Sequence, residues 1–204
     1  MTMKKIPQGK IKEAAKILKK EGLIAFPTET VFGFGVIFDS EEAYKRLINV
    51  KRRPPEQPFT LMCADRTDID EYAYIDERAR KLINAYFPGQ FTIILKAKEN
   101  LPKWVVSKKG MVGIRVPDYE VVQNIIRLVG KPLLVPSANR HGESPLTKSN
   151  DVAEVFKNEI DAVVEGESVS NLPSTIVIID KDVKIIREGY ISKNDIFKVL
   201  EEKK

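Results

Sequence analysis

Apolar residues recur along this chain in two rhythms. Ile11, Ala14, Ala15 and Leu18 fall three and four apart, so residues 9–21 are expected to form an amphipathic helix ended by Gly22. Leu23-Ile24-Ala25-Phe26 is instead a continuous apolar run, short enough for a buried strand, and Pro27 stops it. The two patterns keep trading places to the C-terminus. Helices are expected over 41–50 (capped by Ser40), 66–73, 76–86 (opened by Asp76) and 119–129 (closed by Gly130). Two more are expected near 150–157 and over about 192–201. Strands are expected at Phe59–Ala64, Phe91–Lys96, Met111–Val116 and Leu133–Val135. Three further β-rich pieces follow at 161–165, 175–180 and 183–187. This interleaving predicts an α/β fold. No repeat and no Gly/Ser/Pro linker divides the sequence, so one domain over 1–204 is expected.

Composition narrows the class. At 43% hydrophobic and 31% charged, the 204 residues suit a globular protein with extra surface charge. The single cysteine, Cys63, excludes a disulfide framework and a Cys-based zinc site. It lies inside an apolar run, so a buried, unreactive thiol is expected. No stretch approaches the ~18 apolar residues of a membrane span. No apolar segment follows Lys4-Lys5 to make a signal peptide, and a cytoplasmic location is expected. The net charge of +5 suits an anionic ligand such as a nucleotide and permits loose contact with RNA.

The longest irregular stretches are 51–58, 99–110, 136–149 and 165–174, and long loops in compact domains are usually functional or disordered. Candidate chemistry gathers in three of them and in a loop behind the first apolar strand. That loop, Pro27-Thr28-Glu29-Thr30-Val31-Phe32-Gly33-Phe34-Gly35, sits where α/β sheets place ligands. It lacks the third glycine of a dinucleotide fingerprint. A tight turn with a Thr/Glu cap is its plainer reading. Lys51-Arg52-Arg53-Pro54-Pro55-Glu56-Gln57-Pro58 offers a point charge and forked guanidiniums on a proline-stiffened exit, which suits phosphate. The same cations would also complement a helix C-terminus. Pro136-Ser137-Ala138-Asn139 follows another short strand, and an extended chain there projects Ser137 and Asn139 to the same side. No nucleophile-elbow pattern surrounds Ser137, so the lone His141 builds no triad. Arg115, inside the apolar strand Val112–Val116, must pair internally or face a ligand carboxylate. Ser174 and Arg187 complete the set. No His or Cys cluster predicts a transition-metal site.

Taken in this order, the motifs resemble those of the YrdC/YciO family of threonylcarbamoyl-AMP synthases, over residues 9 to about 190. Pro-Thr-Glu-Thr-Val-Phe-Gly-Phe-Gly is close to the family's Pro-Thr-(Asp/Glu)-Thr-Val-Tyr-Gly-Leu-Gly. Lys51-Arg52-Arg53-Pro54 is similar to its Lys-x-Arg-Pro, and Pro136–Asn139 to its Pro-Ser-Ala-Asn. Phe87-Pro88-Gly89-Gln90-Phe91-Thr92 resembles a further family run. The resemblance implies a twisted, mostly β sheet flanked by helices, with a basic concave cavity. It implies synthesis of threonylcarbamoyl-AMP and pyrophosphate from L-threonine, bicarbonate or CO2, and ATP, with magnesium. A separate tRNA-modifying complex would then take the threonylcarbamoyl group. Carried over by residue, Lys51 and Arg53 would supply the catalytic charge. Lys51, Arg53, Asn139 and Arg187 would hold the phosphates of ATP. Gln57, Thr147 and the backbone of Met111 would add nucleotide contacts. Thr30, Arg115, Ser137 and Ser174 would position threonine, with Arg115 on its carboxylate.

The segment Phe59-Thr60-Leu61-Met62-Cys63 departs from the many synthases that carry a histidine there, and resembles the YciO branch. Arg187-Glu188-Gly189 also resembles that branch. The Lys-Arg-Arg-Pro and Pro-Phe-x-Leu-Met pattern is similar to a domain of the hydrogenase-maturation carbamoyltransferases. The alternative expectation is an RNA-binding protein of the same fold without synthase activity.

Overall fold

A computed structural model describes residues 3–54, 57–170 and 172–202. Pro55 and Glu56 of the proline-stiffened exit, and Asn171 within the 165–174 stretch, lie outside the described residues.

One mixed sheet of ten strands organises the chain. The first four are β1 (Lys4–Ile6), β2 (Ile24–Phe26), β3 (Gly33–Ile37) and β4 (Leu61–Met62). Next come β5 (Phe91–Lys96), β6 (Met111–Arg115) and β7 (Leu133–Leu134). The last are β8 (Ala162–Val164), β9 (Thr175–Ile179) and β10 (Val183–Arg187). Their order across the sheet is β1-β8-β2-β3-β7-β4-β6-β5-β9-β10. Four of its strand pairs (β1·β8, β2·β8, β4·β6, β5·β9) are parallel and the others antiparallel.

Six helices flank the sheet among the described residues. They are α1 (Ile11–Lys19), α2 (Glu41–Lys51), α3 (Glu77–Tyr86), α4 (Glu120–Val129), α5 (Ser149–Phe156) and α6 (Lys193–Glu201). Each forms for reasons visible in its residues. Ser40 and Asp76 accept the Ala43 and Ala79 amides, capping α2 and α3. Gly130, at φ 85°, closes α4 in the left-handed conformation that glycine adopts cheaply. The apolar stripe of α1 packs on α4, β3 and β8, and α3 packs on β5 and α6. Phe26, Phe32, Phe34, Phe91 and Phe156 are fully buried between these layers. No helix among the described residues is long and apolar enough to cross a membrane.

Several expectations need correction. The helix expected over 66–73 is a 3-10 helix, Arg66–Glu71. A capping box between Asp65 and Asp68 starts it, and Ala73 is drawn off into a bridge with Ala97, which leaves too few residues for α-helix. The strands expected at 59–64 and 133–135 shrink to two residues each, and of their flanks Phe59, Thr60 and Val135 line the cavity described below. Two strands went unforeseen. β1 begins with Lys4 and Lys5 and lies at the sheet edge, where lysines discourage further pairing. β3 carries Gly33 and Gly35, read as part of a ligand loop. Those glycines allow close packing instead: a Cβ on Gly35 would sit 2.4 Å from the Phe26 ring.

One irregularity matters for the site. β10 runs antiparallel to β9 with Ile185 opposite Val177, yet Arg187 lies opposite Ile176. Ile186 is therefore surplus, a β-bulge.

Candidate active site

The loop after β2, the end of α2, the loop after β7 and the strands β4, β6, β5, β9 and β10 surround one cavity of about 470 Å³. The strand register puts its polar groups in line. Met62 pairs with Arg115, Thr92 with Ile176, and Ile176 with Arg187, while the Ile93–Ile114 pair, one step along, sets Thr92 next to Arg115. Side chains in such a row stand on one face of the sheet. Ser174, two residues before Ile176, shares that face and meets Thr92, Oγ to Oγ, at 2.9 Å.

Arg115 is buried, and it makes an internal ion pair: Nη2 donates to Glu29 Oε1 at 2.7 Å. The same nitrogen donates to Thr30 Oγ1 at 3.0 Å. Thr28 passes its own hydroxyl proton to the Val31 carbonyl, so Thr30 must be the donor in the Thr28–Thr30 contact. Thr30 thus turns a lone pair toward Arg115. Arg115 Nε and Glu29 Oε2 are buried without a hydrogen-bond partner.

Arg53 is placed by the end of α2. Arg52 adopts the left-handed conformation at φ 52° and turns the chain back. The Arg53 guanidinium then lies over the Phe59 ring, 5.1 Å from its centroid, and Nε has no partner. Burial holds its pKa below the usual arginine value. Arg187 donates from Nε and Nη2 to the Ser174 carbonyl at 3.1 and 2.9 Å. Burial, then nearby Arg115, lowers its pKa. Of the three guanidiniums on the wall, only that of Arg115 has a carboxylate partner among the described residues.

Lys51 is turned inward. It is 3% exposed and stands behind the wall. Its ammonium donates to Ser137 O at 2.8 Å and Asn139 Oδ1 at 2.7 Å. Burial, then the charge of Arg53, pulls its pKa from 10.5 to about 8. Asn139 is equally committed. Its oxygen also accepts from Ser137 Oγ, and its amide donates to the carbonyls of Arg140 and Glu143. A signal for the inward turn was present: Lys51 follows Tyr44 by seven residues and Leu47 by four, the buried stripe of α2.

The sequence-derived residues therefore divide. Thr30, Arg53, Arg115, Ser137, Asn139, Ser174 and Arg187 are brought together on the wall. Gln57, Met111 and Thr147 are not among its lining residues. Gln57 is exposed, the Met111 backbone bonds to Ser107 in both directions, and the Thr147 carbonyl accepts from Ser168. Thr60, Thr92 and Glu143 line the cavity without having been singled out. Thr60 and Thr92 lie in apolar runs, and only strand pairing tells which face they take. Cys63 is buried with its thiol pKa pushed up by burial, as expected. No group of three or more His, Cys, Asp or Glu is placed to hold a metal ion among the described residues.

The chain is similar to known proteins in sequence and in fold. A threonylcarbamoyl-AMP synthase of Enterobacter sp. is 36% identical over 83% of this chain and 91% of its own length. The crystal structure of Pyrococcus abyssi Sua5 complexed with L-threonine superposes with a TM-score of 0.91 at 30% identity. It covers 99% of this chain, which spans 62% of the Pyrococcus chain. The crystal structure of Escherichia coli YciO gives a TM-score of 0.88 at 25% identity, covering 96% of this chain and all of that one. The family model for Sua5, YciO and YrdC, described as telomere recombination, matches residues 16–189. With its fold and most of its length matched in this way, the chain belongs to the Sua5/YciO/YrdC family.

Proposed function

We propose that this protein makes threonylcarbamoyl-AMP and pyrophosphate from L-threonine, bicarbonate or CO2, and ATP. The observation that carries the proposal is the uneven charge of the cavity wall. Arg115 is neutralised by Glu29, whereas Arg53 and Arg187 have no carboxylate partner among the described residues. Unpaired guanidiniums suit a polyphosphate, and a guanidinium whose plane is fixed by a partner suits one carboxylate in one orientation. Relatives that bear the synthase name favour this reading over an RNA-binding one.

The residues supply position and charge. Arg115, Thr30 and Ser174 hold threonine with its amine free to take up CO2, and proximity is the main contribution to carbamate formation. The carbamate oxygen then attacks the α-phosphorus, and pyrophosphate leaves. Arg53 and Arg187 stabilise charge on the phosphates. Lys51 holds the Ser137–Asn139 loop in register with them. A magnesium ion would arrive with the triphosphate, since such ions are usually held by one or two carboxylates and the substrate phosphates. Glu143 is the carboxylate on the wall that could meet it. The product would pass, in the cytoplasm, to a separate complex that modifies tRNA.

Purified protein given labelled ATP tests the proposal by omission. Pyrophosphate release is expected only with threonine and bicarbonate both present. Release indifferent to threonine would overturn it.

A further inference from the structure

Glu29 has no assigned role, yet it is the group on which the Arg115 end of the cavity depends. Its side chain is 8% exposed and that of Arg115 is 9% exposed, so neither charge is screened by bulk water. The carboxylate is itself fixed. Oε1 accepts from Arg115 Nη2 at 2.7 Å and from the Asp118 amide at 3.1 Å. The Glu29 backbone carbonyl accepts from Gln90 Nε2 at 3.4 Å. The loop after β2 is thereby tied to the segment after β6 and to the start of β5.

The consequence falls on the guanidinium. Nη2 has two hydrogens and two acceptors, Glu29 Oε1 and Thr30 Oγ1. That nitrogen is saturated, and the plane of the guanidinium is fixed by it. Nε remains buried and unpartnered in a residue that lines the cavity. An arginine presented in this way binds one planar anion in one orientation.

We infer that Glu29 is a positioning residue that sets Arg115 to receive the carboxylate of an α-amino acid. This rests on the function proposed above. A rival role for Glu29 gives the opposite sign. If it only neutralised Arg115, its negative charge would repel the incoming carboxylate, and removing that charge would tighten binding.

The test uses the purified full chain, with pyrophosphate release measured while threonine and ATP are varied separately. Glu29→Gln is expected to raise the KM for threonine at least tenfold, with kcat and the KM for ATP within about twofold, the pattern of lost substrate binding. Glu29→Asp keeps the charge on a shorter arm and is expected to raise the threonine KM only about threefold. A general loss of structure would move both KM values together. A threonine KM that is unchanged or lower in Glu29→Gln overturns the inference. If that variant does not fold, Glu29→Asp decides alone: equal rises in the two KM values overturn it. Wild-type turnover that ignores threonine overturns the underlying function, and an intact threonine requirement with a Glu29-independent KM overturns only the positioning role.

Discussion

Two buried polar clusters meet at the cavity wall, and they differ in what they leave unmade. Where Lys51 backs the wall, it exchanges hydrogen bonds with Ser137 and Asn139, and the Asn139 amide donates to two backbone carbonyls. No side-chain atom of this cluster is a buried orphan. On the other side of the wall, Arg53 and Arg115 each keep a buried atom without a partner, and so does Glu29, which pairs with Arg115. Burial is similar in the two places, so burial does not separate them. Completeness does. A closed cluster has spent its donors and serves as scaffold, whereas buried orphan groups are rare and call for a ligand to satisfy them.

The comparison breaks most visibly at Asn139. Replacing it by Ala removes an acceptor from the Lys51 ammonium and strands two carbonyls, with an expected loss of about 3 kcal/mol in denaturant unfolding. A loss under about 1 kcal/mol would show that the network is not closed in solution. Arg53→Ala should act the other way round. Unfolding should change little, while the KM for ATP rises about 10- to 100-fold, the worth of one charged hydrogen bond. Equal damage to stability and to ATP binding would erase the distinction.

A smaller effect sharpens it through pH. The folded pKa of Lys51, about 8, lies below its ordinary 10.5. Between those values the unfolded chain binds more protons, so stability rises with pH there. The cost of burying the ammonium is in force below about pH 8 and is relieved as pH climbs toward 10.5. Wild type should therefore gain stability relative to Lys51→Met across that window, measured by urea unfolding at fixed ionic strength. A constant difference would mean that the ammonium is not desolvated.

Much of the site was legible in the sequence because its loops follow apolar strands and carry unusual polar residues. Arg115 announced itself as a charge within an apolar run, and both readings offered for it, ion pair and carboxylate ligand, are compatible with its geometry. Glu29 was visible as a residue but not as the partner of Arg115, since pairing across 86 positions depends on strand order. The fate of Lys51 was half legible. Its stripe position on α2 pointed inward, while its place among three cations pointed to phosphate. β3 stayed hidden because its glycines look like loop residues until Phe26 is seen packed against them. Thr60 and Thr92 stayed hidden because alternation within a strand does not say which face meets the cavity.

The bulge in β10 gives one more lesson, about length rather than chemistry. If all residues of β10 were kept but paired one to one, with no bulge, Ile186 would oppose Ile176 and Arg187 would oppose Thr175. Arg187 would then point to the fully buried side, and an aliphatic residue would look into the cavity, because a one-residue slip inverts a strand. The bulge, two residues set against one, thus keeps a guanidinium rather than an aliphatic side chain on the cavity face. In this fold, a one-residue slip of β10 against β9 would exchange a cation for an aliphatic side chain at one corner of the site with no change of residue type.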